Sequence, residues 1–193
     1  MNGWRCAWRR APARCCRGSR ARSAPDRLPG SPQRSPSMST VIRPATREDL
    51  SALATALAPL PLFQAYKLDA SALTERFHGA LERGEGLLLA TGDSGPVGVC
   101  WFLTRGTFGT GAYLRTLAVS EAQQGSGLGA RLLNAYEAGC GSPPGGYFLL
   151  TSDFNTGAQR FYLRHGYRQV GQLPDFAVPG VSELIFWKPR VRG

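Results

Sequence analysis

Between Leu114 and Leu133 the chain reads LRTLAVSEAQQGSGLGARLL, an apolar run followed by three glycines within five residues and then by a helical pattern. This stretch constrains the fold more than any other. Gly125, Gly127 and Gly129 allow backbone conformations and close approaches that side chains forbid. The helix behind them directs its unpaired N–H groups and the positive end of its dipole toward the same place. A strand, a glycine turn and a helix in this order make an anion site suited to phosphate or pyrophosphate.

The surrounding residues narrow the choice of ligand. A P-loop needs a Lys directly after its last Gly, and Ala130-Arg131 stand there instead. A dinucleotide turn needs G-x-G-x-x-G, but Gly129 falls one place early for that pattern. Gln124, Gly127 and Gly129 satisfy [QR]-x-x-G-x-[GA], on a strand ending Leu117-Ala118-Val119. Downstream, Asn155, Ala158, Phe161, Tyr162, Gly166 and Tyr167 satisfy N-x-x-A-x-x-[FL]-Y-x-x-x-G-[FY]. Both blocks, in this order and with the strand Tyr147–Thr151 between them, resemble the Gcn5-related N-acetyltransferases (GNAT family). The resemblance is firm over 111–172 and looser over 40–190.

The resemblance implies an acyltransferase, an enzyme that moves an acetyl group from acetyl-CoA to a primary amine by direct attack. It implies that the backbone of Gln124, Gly125, Ser126, Gly127, Leu128, Gly129 and Ala130 holds the coenzyme A pyrophosphate. It also implies that Leu117, Ala118 and Val119 pair with the pantetheine arm like an added strand. Asn155, a natural helix N-cap, is often a cofactor contact in this family, and the two roles are compatible. Tyr162 lies two helical turns after Asn155 on the same face. The family assigns such a Tyr to protonating the departing thiolate; the alternative is a packed aromatic. A catalytically inactive acyl-CoA-binding or sensing module remains the competing reading.

The general base is not legible. Many family members carry a Glu on the strand before the glycine turn, and Tyr113-Leu114-Arg115-Thr116 holds no carboxylate. Asp153, Asp175 and Glu183 are candidates, each reading more readily as a surface or capping residue. The acceptor site is expected from Phe63 and Tyr66 in 60–67 and from Asp175 and Phe176 in 173–180, where a plain loop is an equal reading. The amine itself, small molecule or peptide, is left open, as is a homodimer.

Hydrophobic periodicity gives the order βααβββαβαββ, an α/β (mixed α+β) fold whose central mixed sheet carries helices on both faces. Thr46–Asp49 and Asp69 are expected to cap the first two helices, and Pro59-Leu60-Pro61 to end the first. Charge divides the chain. Residues 1–37 hold nine Arg and one acid, whereas 38–193 hold 14 basic and 12 acidic residues. The expected domains are therefore a disordered Arg-rich tail, 1–37, and an N-acetyltransferase domain, 38–193. The tail reads as a transit peptide, a nucleic-acid arm, a linker, or upstream sequence outside the functional protein. The last is preferred, because Met38 opens almost directly on the first strand. The near balance of 38–193 argues against nucleic-acid binding. Five Cys without a C-x-x-C pair and two distant His give neither a disulfide framework nor a metal pattern. No apolar run spans a bilayer. The expected location is cytoplasmic, with no metal and no membrane.

Overall fold

The computed structural model describes residues 40–190. The expectations for the Arg-rich segment 1–37 lie outside the described residues. The chain forms β1 (Val41–Pro44), α1 (Leu50–Leu57), α2 (Pro61–Ala65), α3 (Ala70–Glu82), β2 (Gly86–Gly92), β3 (Gly95–Thr107) and β4 (Gly111–Val119). It continues with α4 (Leu128–Cys140), β5 (Tyr147–Ser152), α5 (Thr156–Arg164), β6 (Arg168–Leu173) and β7 (Glu183–Lys188). The strands form one seven-stranded sheet in the order β1-β2-β3-β4-β5-β7-β6. Among the described strands, only the β4–β5 pair is parallel.

The strands bury both faces because their side chains alternate. On β3, Val99 and Trp101 belong to the core under α1 and α3, while Cys100 and Phe102 belong to the core under α4 and α5. On β2, Leu87 and Leu89 face the first core and Ala90 the second. The first core is completed by Leu50, Leu53 and Leu57 of α1 and by Leu73 and Phe77 of α3. The second takes Leu128, Leu132, Leu133 and Tyr136 from α4 and Tyr162 from α5. This is the mixed sheet covered on both faces that the periodicity predicts.

The helix starts follow their capping residues. The Thr46 N–H and hydroxyl both donate to Asp49 Oδ2, at 2.8 and 2.9 Å, closing the turn that leads into α1. Arg43 grips the same carboxylate with two bonds of 2.7 Å, tying β1 to that turn. Asp69 accepts the Ala72 N–H at 2.8 Å at the start of α3. One expectation needs correction. The segment 60–67 is not a plain link, because Pro61 begins the short α2. Proline tolerates the first helical position, where no intrahelical N–H bond is lost. α2 buries Phe63 and leaves Tyr66 at its C-terminal end. Among the described residues, no helix is long and apolar enough to cross a membrane.

Burial raises the pKa of all six tyrosines and of Cys100 and Cys140. The unfolded chain ionises first, near 9 for thiols and 10 for phenols, and so binds fewer protons than the folded one. The stabilisation is complete below those values and is lost as pH rises toward the folded-state values. The thermal midpoint, followed by circular dichroism, should therefore fall by several degrees between pH 9 and 11. A midpoint constant to pH 11 would contradict this account.

Candidate functional site

The site begins where β4 and β5 part. Their parallel pairing joins Ala112, Tyr113 and Leu114 to Tyr147, Phe148 and Leu149, and ends there. Beyond Leu114, β4 keeps its β3 partner but has none on the β5 side. The β3–β4 register shifts at the same place: Trp101 opposes Thr116 and Phe102 opposes Leu114, leaving Arg115 as the extra residue. Such a bulge bends a strand and increases its twist. The two strands splay into a cleft with a free backbone edge along Leu117, Ala118 and Val119.

Two cavities occupy the cleft and share Leu62, Leu117 and Asn155. One, of about 380 Å³, lies beside Leu117–Val119, Gln124 and Phe154. The other, of about 270 Å³, lies between β4 and the β5–α5 arm and is walled by Phe63, Phe77, Trp101 and Phe176.

The glycine turn stands at the N-terminus of α4. Gly125 has φ 77° and Gly127 has φ 86°, a region that other residues enter only at a cost. Gly129 serves differently: a Cβ there would lie 3.6 Å from the Phe161 ring, in the contact between α4 and α5. Within the turn the Gln124 N–H donates to Glu121 O, and the Ser126 N–H to Gln123 O. The Leu128 N–H donates to Ser126 Oγ at 3.3 Å. The N–H groups of Gly125, Gly127, Gly129 and Ala130 have no hydrogen-bond partner among the described residues. The expectation that the whole backbone of 124–130 is available for a ligand is thereby narrowed to these four donors.

Asn155 caps α5, its Oδ1 accepting the Ala158 N–H at 3.1 Å, and it lines both cavities. Tyr162 is 7% exposed and lines the smaller cavity. Its ring packs on Phe161, Tyr167 and Phe186. Burial, with smaller contributions from Cys100 and Tyr113, pushes its phenol above the ordinary range, so it stays protonated. Phe63, Tyr66 and Phe176 line the smaller cavity as expected. Asp175 does not line it. With φ 53° in the β6–β7 loop, it spends its carboxylate on the Gly180 N–H at 2.6 Å.

The sequence reading placed Glu183 at the surface or in a cap, and the structure corrects this. Glu183 is 5% exposed, lines the smaller cavity and accepts a short hydrogen bond from the Tyr66 hydroxyl. Tyr66 also lies 2.5 Å from Ser152 Oγ. Burial, then the bond to Glu183, raises the Tyr66 phenol to about 12. Asp153 does cap, accepting the Ser182 N–H at 3.2 Å. The Glu183–Tyr66 pair joins positions 117 residues apart, and no local pattern announces it. The only local signal is a carboxylate at the head of the apolar strand Glu183–Lys188. Among the described residues, no cluster of three or more His, Cys, Asp or Glu could hold a metal ion.

No curated protein matches the sequence significantly. Solved structures do match in fold. An acetyltransferase from Corynebacterium glutamicum, described as histone acetyltransferase HPA2 and related acetyltransferase, shares 25% identity with a TM-score of 0.60, over 81% of this chain and 99% of that one. A GNAT-family acetyltransferase from Bacillus cereus shares 17% identity with a TM-score of 0.62, over 80% of this chain and 99% of that one. An aminoglycoside 6'-N-acetyltransferase complexed with coenzyme A shares 18% identity with a TM-score of 0.60, over 79% of this chain and 98% of that one. The family model described as the acetyltransferase (GNAT) family matches residues 49–167, which take in the glycine turn, the splayed strands and α5. The chain belongs to the acetyltransferase (GNAT) family.

Proposed function

We propose that the protein transfers the acetyl group of acetyl-CoA to a primary amine by direct attack, within a catalytic unit formed by residues 38–193. One observation carries the reading: four unpartnered N–H groups at the N-terminus of α4 lie next in sequence to a strand edge that has lost its neighbour. The donors of Gly125, Gly127, Gly129 and Ala130 suit a pyrophosphate. The free edge of Leu117, Ala118 and Val119 suits the amides of a pantetheine arm, which would complete it as a strand does. The coenzyme A bound by one similar structure is consistent with this fit. Bound acetyl-CoA supplies an acetyl group activated as a thioester.

The chain's own groups do the rest. Asn155 holds the start of α5 at the junction of the two cavities. Tyr162 presents a protonated phenol to the smaller cavity and gives its proton to the departing sulfur. Cys100 is buried with its thiol pushed up, and burial raises Cys140 to about 12. Both stay protonated and are poor nucleophiles, which favours direct attack over a covalent acyl-enzyme. Phe63, Tyr66 and Phe176 contribute to the acceptor side.

Coenzyme A at about 100 times its dissociation constant adds about 2.7 kcal/mol, a rise of several degrees in thermal midpoint for a domain of this size. That rise should appear with coenzyme A and not with NAD or ATP, and deletion of residues 1–37 should leave it intact. Gly127→Val should abolish it. The branched side chain would occupy open space beside the free donors, and the positive φ would cost about 1–3 kcal/mol of stability. An equal response to NAD would point back to a dinucleotide site.

Tyr162→Phe keeps the ring packing and removes the donor. Turnover should fall by about 10²–10⁴ with coenzyme A affinity unchanged. Because burial raises the phenol, any high-pH limb that it controls should lie above pH 10. Full activity in the Phe variant would reduce Tyr162 to a packing residue. Coenzyme A binding by the wild type without turnover on any amine would favour an acyl-CoA-binding module.

A further inference from the structure

Glu183 is a buried carboxylate on the wall of an open cavity, and it makes no ion pair with any described residue. Burying a charge without a cation is costly, so such groups are retained where something cationic meets them. The nearby protein donors are hydroxyls. Tyr66 donates to Glu183 Oε1 and is itself bonded to Ser152. The charged groups of the neighbouring elements do not neutralise it either. Arg115 of β4 stacks 4.6 Å over the Trp101 ring, and Arg76 of α3 is exposed at the cavity. Asp153, after β5, adds negative charge. Tyr113 feels both the Arg115 cation and the Glu183 anion, so these two charges flank one phenol.

Part of the cavity wall is shaped for an apolar body, beside polar groups that include Arg76, Arg115 and Asn155. Phe63, Phe77, Trp101 and Phe176 wall it, and Tyr162 lines it together with Glu183. The one carboxylate therefore sits among aromatic side chains in the cavity that also holds the expected proton donor.

Resting on the acetyltransferase reading and going beyond it, we propose that Glu183 receives the ammonium of an arylalkylamine acceptor and acts as its general base, with Tyr66 as the residue that positions the carboxylate. The protons and electrons balance as follows. Glu183 takes one proton from the ammonium and becomes a carboxylic acid. The nitrogen lone pair then forms the C–N bond to the thioester carbonyl carbon, and the C–S bond breaks with its electron pair on sulfur. Tyr162 protonates that sulfur and recovers a proton from the new amide nitrogen. Glu183 later releases its proton to solvent, so the net products are an N-acetylamine, a thiol and one proton.

The test uses the full chain with 2-phenylethylamine and acetyl-CoA. Wild type should acetylate this amine. Glu183→Gln keeps the size and leaves an oxygen to accept from Tyr66, so it should fold and show the wild-type coenzyme A midpoint shift. Its kcat/KM at pH 7 should fall by about 10²–10⁴. The amine must then arrive neutral, so the variant's rate should climb about tenfold per pH unit toward about pH 10 and close on wild type. Tyr66→Phe provides a second reading that leaves the carboxylate in place. Without the bond that aims the carboxylate, kcat for the amine should fall by about tenfold or more while the coenzyme A midpoint shift stays at the wild-type value. A merely structural role for Tyr66 would lower the midpoint of the free protein and leave kcat where it was. Wild-type pH dependence in Glu183→Gln together with wild-type kcat in Tyr66→Phe would overturn the assignment of Glu183. Failure of the wild type to acetylate 2-phenylethylamine while accepting an aliphatic amine or a peptide would overturn the substrate class. Absence of the coenzyme A shift in the wild type would instead defeat the acetyltransferase reading beneath both.

Discussion

The parting of β4 and β5 is the constraint on which the rest of the structure depends. Two neighbouring strands that stop pairing leave buried backbone groups in need of partners. Here the separation begins beside Arg115, where the β3–β4 ladder carries one extra residue. The bulge turns β4 without breaking its bond to β3, so the strand stays rigid while its other edge opens. On the far side, β5 is held by six register pairs to β7, from Tyr147↔Lys188 to Ser152↔Glu183. The cleft is therefore bounded by two well-supported walls, and α5 rises from the end of one of them.

That geometry explains the separation of the two chemistries. The N-terminus of α4 offers unpartnered backbone donors, a surface whose shape and dipole suit a phosphate. The inner cavity offers side chains: a protonated phenol on α5, and a carboxylate at the head of β7 held by a phenol from α2. The Ser152↔Glu183 register sets both side chains where Tyr66 bonds to them. Because Ser152 ends β5 and Glu183 begins β7, the pair lies at the end of these two strands, on the wall of the inner cavity. Had the register slipped by one, Leu184 would stand there and the carboxylate would face elsewhere.

The glycine turn was legible in the sequence because it is local. The strand, the glycine turn and the helix are contiguous, and two of the glycines state a backbone requirement, positive φ at Gly125 and Gly127; at Gly129 a Cβ would make only ordinary contact with Phe161. Asn155 capped its helix as its residue type suggests, and Tyr162 fell in the cavity two turns on. The alternation on β2 and β3 correctly implied helices on both faces. What local reasoning missed was where short elements and side-chain partners meet. Pro59-Leu60-Pro61 read as the end of the first helix, which does stop at Leu57, but the start of α2 at Pro61 went unread. Asp175 read as a pocket residue, but the loop's own Gly180 N–H claims its carboxylate. Both residues act through neighbours a few positions away, and their types allow either outcome.

Glu183 shows why the acceptor side resists such reading. Its sequence neighbours are apolar strand residues, and nothing near it announces a buried charge. Its environment comes from elements far apart in the chain: Tyr66 from α2, Tyr113 and Arg115 from β4, and Ser152 from β5. Each could change without disturbing the glycine turn or the free strand edge. The unpartnered donors at the glycine turn and the side chains of the inner cavity are thus set by different parts of the chain. It follows that a carboxylate need not lie on β4 to serve the reaction. Any element that reaches the inner cavity can supply one, and in this chain the β5–β7 register brings the Glu183 carboxylate to its wall.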